Sequence, residues 1–228
     1  MRVASLYSGG KDSTFSLFKA REIGYDIACL IIMHPSADDS MLFHYPNSWV
    51  TKYLADAMQI DSIGFTIKGA SMQDELKVLE EAIINVKSLY DIQGIIYGGI
   101  SSKFQNNVFE RICSKHKLTM ITPLWHMHSS EYMHELLNKK FHIKIVSVSA
   151  MGLNKDWLGR SLDENSLTIL ESLSKKYGFN LTFEGGEAET LVVDCPLFKK
   201  KVGIKKASIH WDGQRGIFEI LEVILLPK

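Results

Sequence analysis

The chain has 228 residues, of which 46% are hydrophobic and 23% charged, and its 26 acidic side chains balance its 26 basic ones. This composition is typical of a globular protein with one α/β domain, or one domain and a substantial appendage. A net charge of zero gives no broad positive field, which argues against DNA as a partner and against nonspecific nucleic-acid binding. The longest apolar runs, such as residues 28–33, are too short to span a bilayer, so no membrane partner is expected.

The first informative stretch, residues 8–13, lies between a predicted buried strand (3–7) and a predicted helix (14–22). Its sequence is Ser8, Gly9, Gly10, Lys11, Asp12, Ser13. Two glycines let the main chain approach an anion closely, and the helix dipole favours negative charge at this end. Lys11 adds a cation, the two serine hydroxyls can donate to phosphate oxygens, and Asp12 or Ser13 is a candidate helix N-cap. The stretch predicts a phosphate-binding turn that lacks Walker A spacing.

Strands and helices alternate through the rest of the first half. Strands are predicted at 26–33, 63–67, 94–97 and 118–122, and helices at 47–59, 72–89 and 103–116. This alternation predicts right-handed βαβ crossovers and a parallel, Rossmann-like α/β sheet with helices on both faces. Ligands of such sheets bind beyond the carboxyl ends of the strands, where we expect the loops 8–13, 34–47 and 98–105 to meet.

Candidate nucleotide contacts lie in these loops. Met33 ends the second strand and is placed to contact adenine. Gly98, Ser101 and Ser102 repeat the chemistry of the first turn, with glycine for close approach and hydroxyls at a helix start. We interpret them as a second nucleotide or substrate contact, and a plain helix cap is the alternative. His44, beyond the second strand, is a candidate substrate or nucleotide contact, or else a surface histidine.

From Pro123 onward the pattern changes. Helices are predicted at 129–140 and 163–177, a strand at 141–149, and an antiparallel hairpin at 204–211 and 217–226 around the turn 212–216. We therefore expect a smaller α+β domain, 126–228, for substrate binding, after an ATP-binding domain, 1–125. In the loop 150–160, Lys155 and Arg160 are candidates to hold an α-phosphate or an acceptor carboxylate, and two solvated cations are an equally good interpretation.

A second informative stretch, residues 184–198, is rich in carboxylates. Two glycines allow a sharp turn that would present Glu184, Glu187 and Glu189 near each other, with the hydroxyl of Thr190 beside them. A solvated acidic loop is one interpretation. Because apolar residues interleave the acidic ones, the other is a carboxylate cluster that binds a cationic group, or orients ammonium and removes its proton.

Residues 8–13 resemble the PP-loop of the N-type ATP pyrophosphatases, enzymes that split ATP between the α and β phosphates. Further motifs, in order and spacing over nearly the whole chain, are similar to those of the diphthine–ammonia ligase family. They are residues 43–47 (FHYPN), 98–102 (GGISS), 123–125 (PLW), 150–154 (AMGLN), 158–159 (LG) and 184–198. Two positions depart from the family pattern: Gly99 stands where an Asp is usual, and Asn106-Asn107 where basic residues are frequent.

The resemblance implies an adenine-nucleotide alpha hydrolase-like fold and the last step of diphthamide synthesis. ATP adenylates the diphthine carboxylate on translation elongation factor 2, pyrophosphate leaves, and ammonium displaces AMP. It implies ATP and Mg²⁺ as cofactors, with Asp12 as the candidate metal contact. The implied catalytic residues are Lys11, Asp12, Glu187 and Glu189. The implied substrate-binding residues are His44, Asn47, Lys155, Arg160, Glu184, Glu187 and Thr190.

Two other functions remain open. A PP-loop tRNA-modifying enzyme that adenylates a base would need a basic RNA face and, for thiolation, a catalytic cysteine pair. A nucleotide-binding regulator would need only the first domain. The three cysteines lie far apart without a CxxC motif, which predicts a reducing, cytoplasmic location. We expect no signal peptide, because its cleavage would remove the turn at residues 8–13. A homodimer is one oligomeric state that the sequence leaves open.

Overall fold

A computed structural model describes residues 1–35, 47–69 and 71–228. These residues form two compact units, Met1–Trp125 and His126–Lys228. Across the described ranges, none of the helices combines the length and the apolar character needed to cross a membrane.

The first unit is built on a five-stranded parallel sheet with the strand order β3-β2-β1-β4-β5. Its strands are β1 (Arg2–Leu6), β2 (Asp26–Pro35), β3 (Ser62–Ile67), β4 (Gly94–Ile96) and β5 (Thr119–Ile121). Its helices are α1 (Lys11–Ile23), α2 (Thr51–Met58), α3 (Met72–Tyr90) and α4 (Lys103–Lys115), and a 3-10 turn (Ser48–Val50) precedes α2.

Both faces of this sheet are covered. Along β1, the consecutive residues Val3, Ala4 and Ser5 are all buried, although successive side chains of a strand point to opposite faces. On one face, α3 and α4 contribute Leu79 and Phe109 to a core cluster that includes Ala4. Helix α1 packs on β1 and β4 with residues outside that cluster. The predicted α/β architecture with a parallel sheet is confirmed.

The strand order reverses at β1, since β2 and β3 lie on one side of it and β4 and β5 on the other. The segments that follow β1 and β4 therefore leave neighbouring strands at the same carboxyl edge. Such a switch point is where open α/β sheets bind their ligands.

The second unit contains an antiparallel sheet with the order β7-β6-β10-β9, and β8 also pairs with β6. Its elements are α5 (Ser129–Asn138), β6 (His142–Val148), a 3-10 turn (Lys155–Trp157), β7 (Ser161–Leu162), α6 (Glu164–Tyr177), β8 (Ala188–Asp194), β9 (Lys200–Trp211) and β10 (Gly216–Pro227). The helix pair and the long β9–β10 hairpin agree with the prediction of an α+β unit.

One local prediction was wrong and one strand was missed. Helix α1 begins at Lys11 with Gly10 as its N-cap, so neither Asp12 nor Ser13 caps it. The hydroxyls of Ser13 and Thr14 instead donate back to the Gly10 carbonyl, at 3.2 and 2.8 Å. Part of the acidic stretch is strand β8, because pairing with β6 overrides its loop-like composition.

Candidate active site

The turn between β1 and α1 is closed by its own serines. Gly9 has a φ of +79°, a left-handed conformation that glycine adopts without steric cost. The main-chain N–H of Ser8 donates to Ser13 Oγ at 3.2 Å, and the two serine Oγ atoms are 3.1 Å apart. These hydrogen bonds hold the chain against the first helical turn of α1, and this fixes the shape of the turn between β1 and α1.

The amino-terminal end of α1 is suited to an anion. Its N-cap is Gly10, which makes no side-chain cap hydrogen bond, and the positive end of the helix dipole favours an anion at this position. Lys11 is 1% exposed, and its Nζ lies 2.9 Å from both carboxylate oxygens of Asp12. The structure therefore brings together the predicted phosphate-binding cation and the predicted metal contact as an ion pair.

The loop after β4 touches this turn directly. A Cβ added to Gly98 would lie 2.9 Å from the Ser13 main-chain N and 3.0 Å from the Asp12 carbonyl carbon. These are main-chain atoms that cannot rotate away, so this contact requires glycine at 98. Ser16 Oγ also donates to the Tyr97 carbonyl at 3.1 Å. The two glycine loops that the sequence singled out are held against each other.

Tyr97 fixes the rest of the second loop. Its hydroxyl donates to Gln105 Oε1 at 2.8 Å, and its ring centroid is 4.4 Å from that of Phe109. A Cβ at Gly99 would lie 2.3 Å from the Tyr97 ring, so the ring is folded back beneath that glycine. Beyond it, Ser101 is exposed and Ser102 is the N-cap of α4, with no side-chain cap hydrogen bond.

Met33 lies at the predicted edge, but its side chain does not face a ligand. It is 6% exposed and belongs to the core cluster with Leu79. The main chain of Met33 points in a different direction from its side chain. The Tyr7 N–H donates to the Ile31 carbonyl at 2.9 Å, so the peptide groups of Ile31 face β1. The peptide groups of Met33, two residues later in β2, point in the same direction as those of Ile31. At that position they extend beyond Leu6, the last residue of β1. An adenine contact would therefore use the main chain of Met33.

In the second unit, the Glu187 carboxylate closes its own turn. Its Oε1 accepts a hydrogen bond from the Asn180 main-chain N–H at 2.9 Å, and its Oε2 accepts one from that of Gly185 at 2.8 Å. The Glu187 carbonyl accepts another from the Ser149 N–H at 2.8 Å. Both oxygens of this carboxylate are thus engaged by the main chain that surrounds them.

Of the other acidic residues, one precedes Glu187 in the turn and one follows it in β8. Glu184 lies half-buried in the turn, whereas Glu189 and Thr190 are successive residues of β8 and point to opposite faces of the sheet. Glu189 pairs opposite Ser147 of β6. The acidic residues of this stretch thus lie on two elements, Glu184 and Glu187 in the turn and Glu189 in β8.

The remaining candidates lie on separate segments of the chain. Lys155 is exposed in the 3-10 turn, and the Arg160 guanidinium lies 4.6 Å above the ring of the buried Trp157. Asn47 is buried, with a φ of +62°, at the start of the 3-10 turn before α2. His44 lies outside the described residues.

Sequence reasoning missed the residues that connect the two glycine loops, Ser16, Tyr97 and Gln105. A signal for Ser16 was present, since it is a hydroxyl residue between the apolar Phe15 and Leu17 of a helix, and it is fully buried. Such a buried hydroxyl needs a partner. Tyr97 had no comparable signal, because its role depends on how the chain folds back after β4.

Comparison with known proteins covers both units. The model of the diphthamide synthase N-terminal domain matches residues 1–120, and that of the diphthamide synthase C-terminal domain matches residues 128–226. A crystal structure described as a predicted subunit of tRNA methyltransferase from Methanocaldococcus jannaschii covers 86% of this chain and 98% of that chain at 16% identity. Its TM-score of 0.46 is too low to support an argument.

Curated relatives agree with the domain matches. The human diphthine–ammonia ligase is 32% identical over 92% of this chain and 85% of its own length. The rat diphthine–ammonia ligase is 34% identical over 92% of this chain and 86% of its own length. The diphthine–ammonia ligase of Schizosaccharomyces pombe is 30% identical over 94% of this chain, which spans 38% of that longer protein. The family expected from the motifs is confirmed, and the chain belongs to the diphthamide synthase family.

Proposed function

We propose that this chain is the ATP-dependent ligase that amidates diphthine on translation elongation factor 2 with ammonium, releasing AMP and pyrophosphate. The observation that carries the proposal is the match of both diphthamide synthase domains to consecutive parts of one chain. The ion-paired, uncapped turn before α1 supports it, because a turn of this kind suits the phosphates of ATP.

The first unit would bind ATP through the turn at residues 8–13. The outer phosphates carry negative charge that the buried Lys11 and the first-turn N–H groups of α1 can stabilise. The hydroxyls of Ser8 and Ser13 supply further donors. Gly98 contacts the same turn, and Ser101 and Ser102 of its loop would make the second nucleotide or substrate contact. Attack by the diphthine carboxylate on the α-phosphate gives the acyl-adenylate and pyrophosphate, and ammonia then displaces AMP to give the amide.

The residues present fit a Mg²⁺ ion held mainly by the nucleotide. The described residues contain no group of three metal-ligating side chains. Mg²⁺ in ATP-dependent enzymes is commonly bound by one or two carboxylates together with substrate phosphates. Asp12, beside Lys11 in the phosphate turn, would be that carboxylate. Bound there, the ion would neutralise phosphate charge.

The second unit would bind the acceptor and ammonium. Diphthine carries a quaternary ammonium group and a carboxylate, so both carboxylates and cations are suitable partners. We assign Glu184, Glu189 and Thr190 to the cationic groups, and Lys155 and Arg160 to the acceptor carboxylate. His44 and Asn47 would contact the substrate from the first unit. Glu187 remains a candidate catalytic residue whose carboxylate also supports its turn.

The cysteines argue against thiolation of tRNA. Cys29, Cys113 and Cys195 are free and buried. Burial raises the pKa of Cys29 and of Cys195 to about 12, and that of Cys113 to about 11. Because the thiolate is the reactive form, none of the three suits a catalytic role at neutral pH. Three unpaired thiols also fit the cytoplasmic location that we propose.

A nucleotide assay tests the proposal against both alternatives. The chain is incubated with ATP, Mg²⁺ and ammonium, and with diphthine-bearing elongation factor 2, bulk tRNA or no acceptor. We expect AMP and pyrophosphate in equal amounts with the elongation factor, together with conversion of diphthine to its amide. AMP formation that depends on tRNA, or release of ADP and orthophosphate, would contradict the proposal.

A further inference from the structure

The crossover from β2 to β3 includes the 3-10 turn at Ser48–Val50 and helix α2. Because β2 and β3 are parallel neighbours, this crossover returns from the carboxyl end of β2 to the amino end of β3. The 3-10 turn contacts β2, and it opens the helical part of the crossover. The start of that helical part therefore lies toward the carboxyl edge of the sheet, where open α/β sheets bind their ligands. Asn47, which the proposed function assigns to the substrate, directly precedes the turn.

Two aromatic side chains of this segment are exposed side by side. Trp49 lies in the 3-10 turn and Tyr53 lies four residues later in α2, so the two share a helical face. They are 40% and 37% exposed. Their ring centroids are 5.7 Å apart, and their planes meet at 89°. The two rings thus form the perpendicular walls of an aromatic corner.

The aromatic corner differs from other rings of the chain in having no cation of its own. The Arg160 guanidinium lies 4.6 Å above the Trp157 ring, and the Lys176 ammonium lies 5.0 Å above the Tyr177 ring. Within the described ranges, no cation of the chain lies over the ring of Trp49 or Tyr53. The corner therefore presents aromatic faces that other parts of the chain do not use for cation binding.

Two charged residues lie on the same helix, Lys52 and Asp56, and both are exposed. Their charges are opposite, so they give the segment no net charge. Recognition at the corner therefore depends on the rings themselves. The face of an aromatic ring carries the negative part of its quadrupole and attracts a cation, most strongly for Trp.

The kind of cation follows from what the corner supplies. A primary ammonium or a guanidinium carries N–H donors that need acceptor oxygens, whereas a quaternary ammonium has none and is covered by methyl groups. Aromatic corners and cages are a recurring way to bind such a group. Diphthine, the acceptor in the function proposed above, carries a quaternary ammonium. Resting on that function, we propose that Trp49 and Tyr53 bind the quaternary ammonium of diphthine, which leaves the acidic stretch of the second unit for ammonium.

Choline tests the corner directly, against the neutral alcohol in which carbon replaces its nitrogen. The two probes have nearly the same shape and differ in charge. Binding to the full chain is followed by saturation-transfer NMR of the probe methyl protons and by the indole N–H resonance of Trp49. We expect saturable binding of choline with a shift at Trp49, and binding at least about fivefold weaker for the alcohol. Equal binding of the two probes, or no saturable choline binding at Trp49, would overturn the proposal.

Three variants test whether the ring faces carry the binding. Trp49→Leu removes the indole and keeps an apolar side chain, so choline binding should weaken about fivefold or more. Trp49→Phe keeps a ring of weaker attraction and should give an intermediate loss. Tyr177→Leu is the control, because Tyr177 is as exposed as Tyr53, at 38%, but has Lys176 over its ring. Wild-type binding by Trp49→Leu, or an equal loss in Tyr177→Leu, would show that the corner is not the site.

The ligase assay extends the test to the acceptor. With diphthine-bearing elongation factor 2, Trp49→Leu should raise the KM for the acceptor about fivefold or more and leave kcat and the KM for ATP within about twofold. An unchanged acceptor KM in this variant would overturn the assignment to diphthine. A wild-type chain without acceptor-dependent AMP formation would instead contradict the proposed function, and choline binding would still decide whether the corner holds a quaternary ammonium. The two failures are therefore distinguishable.

Discussion

The two glycine-containing turns of this chain, at Gly9-Gly10 and at Gly185-Gly186, use their polar groups in opposite ways. The first leads into a helix whose N-terminus no side chain caps, and it places the buried Lys11 beside it. The second contains the Glu187 carboxylate, and both of its oxygens accept hydrogen bonds from nearby main-chain N–H groups.

This difference distinguishes a turn built for a ligand from one that satisfies itself. The N-termini of α6 and α3 also differ from that of α1. Asp163 caps α6 and Ser71 caps α3, and each forms a capping box with the first turn of its own helix. At α1 the N-cap is a glycine, Gly10, and it makes no side-chain cap hydrogen bond. Loss of ligand-directed groups should therefore impair activity, whereas loss of self-directed groups should impair stability.

The largest effect is expected for Lys11→Met. The substitution keeps most of the buried hydrocarbon and removes the cation that would stabilise the outer phosphates of ATP. We expect kcat for AMP formation to fall about 10²–10³-fold. Lys19→Met, on the same helix with its ammonium 5.3 Å from the Phe15 ring centroid, is the control and should retain activity. Near-normal turnover of Lys11→Met would show that this turn is not the phosphate site.

A smaller effect on activity is expected for Gly98→Ala. The added methyl group would meet the main chain of Asp12 and Ser13, and separating the loops should cost about 1–3 kcal/mol. We expect ATP affinity, measured by calorimetry, to fall about tenfold. In Gly203→Ala the new methyl group meets the Leu226 side chain, which can rotate away, so this control should bind ATP normally. Equal losses in both variants would mean that contact between the loops is unimportant.

The variants Glu187→Gln and Glu189→Gln should distinguish a self-directed carboxylate from a ligand-directed one within the acidic stretch. An amide NH₂ at 187 would face an N–H donor, so we expect a loss of about 1–3 kcal/mol in the free energy of unfolding. Glu189→Gln should lower amidation while leaving denaturant stability near that of wild type. The opposite pattern would assign catalysis to Glu187 and support to Glu189.

The sequence allowed the strands and helices to be predicted where a pattern is local. Buried strands such as β1 and β2 and the helix α6 have an apolar periodicity that does not depend on distant residues. The acidic strand β8 was missed because its pairing with β6 is a tertiary effect. The sequence placed Met33 near the ligand edge of the sheet, but it did not show that the side chain of Met33 packs in the core cluster.

The same distinction applies to the candidate site. A glycine pair at a strand end signals a close approach, and Gly98 indeed meets the first turn of α1. The hydrogen bonds of Glu187 could not be anticipated, since they depend on main-chain N–H groups at Asn180 and Gly185. A run of carboxylates has the same composition whether its oxygens face a substrate or the surrounding main chain.

The smallest effect is expected at the self-capped helix α6. Asp163→Ala removes the carboxylate that accepts the Ser166 N–H at 2.7 Å, and should lower the free energy of unfolding by about 1 kcal/mol. This hydrogen bond holds the pKa of Asp163 below its ordinary value of 3.8. A depressed folded-state pKa means that the stabilisation is complete above 3.8 and is lost as pH falls through the folded-state value.

Urea denaturation at several pH values measures this contribution. The difference between wild type and Asp163→Ala should be constant near neutrality and shrink below about pH 4, as the unfolded carboxylate and then the folded one take up protons. Asn165→Ala, at an exposed position in the first turn of α6, should show no such pH dependence. Because the Asp163 cap serves the helix alone, ATP turnover at neutral pH should be unchanged. A fall in turnover without a fall in stability would place this helix end among the ligand-directed groups, with α1.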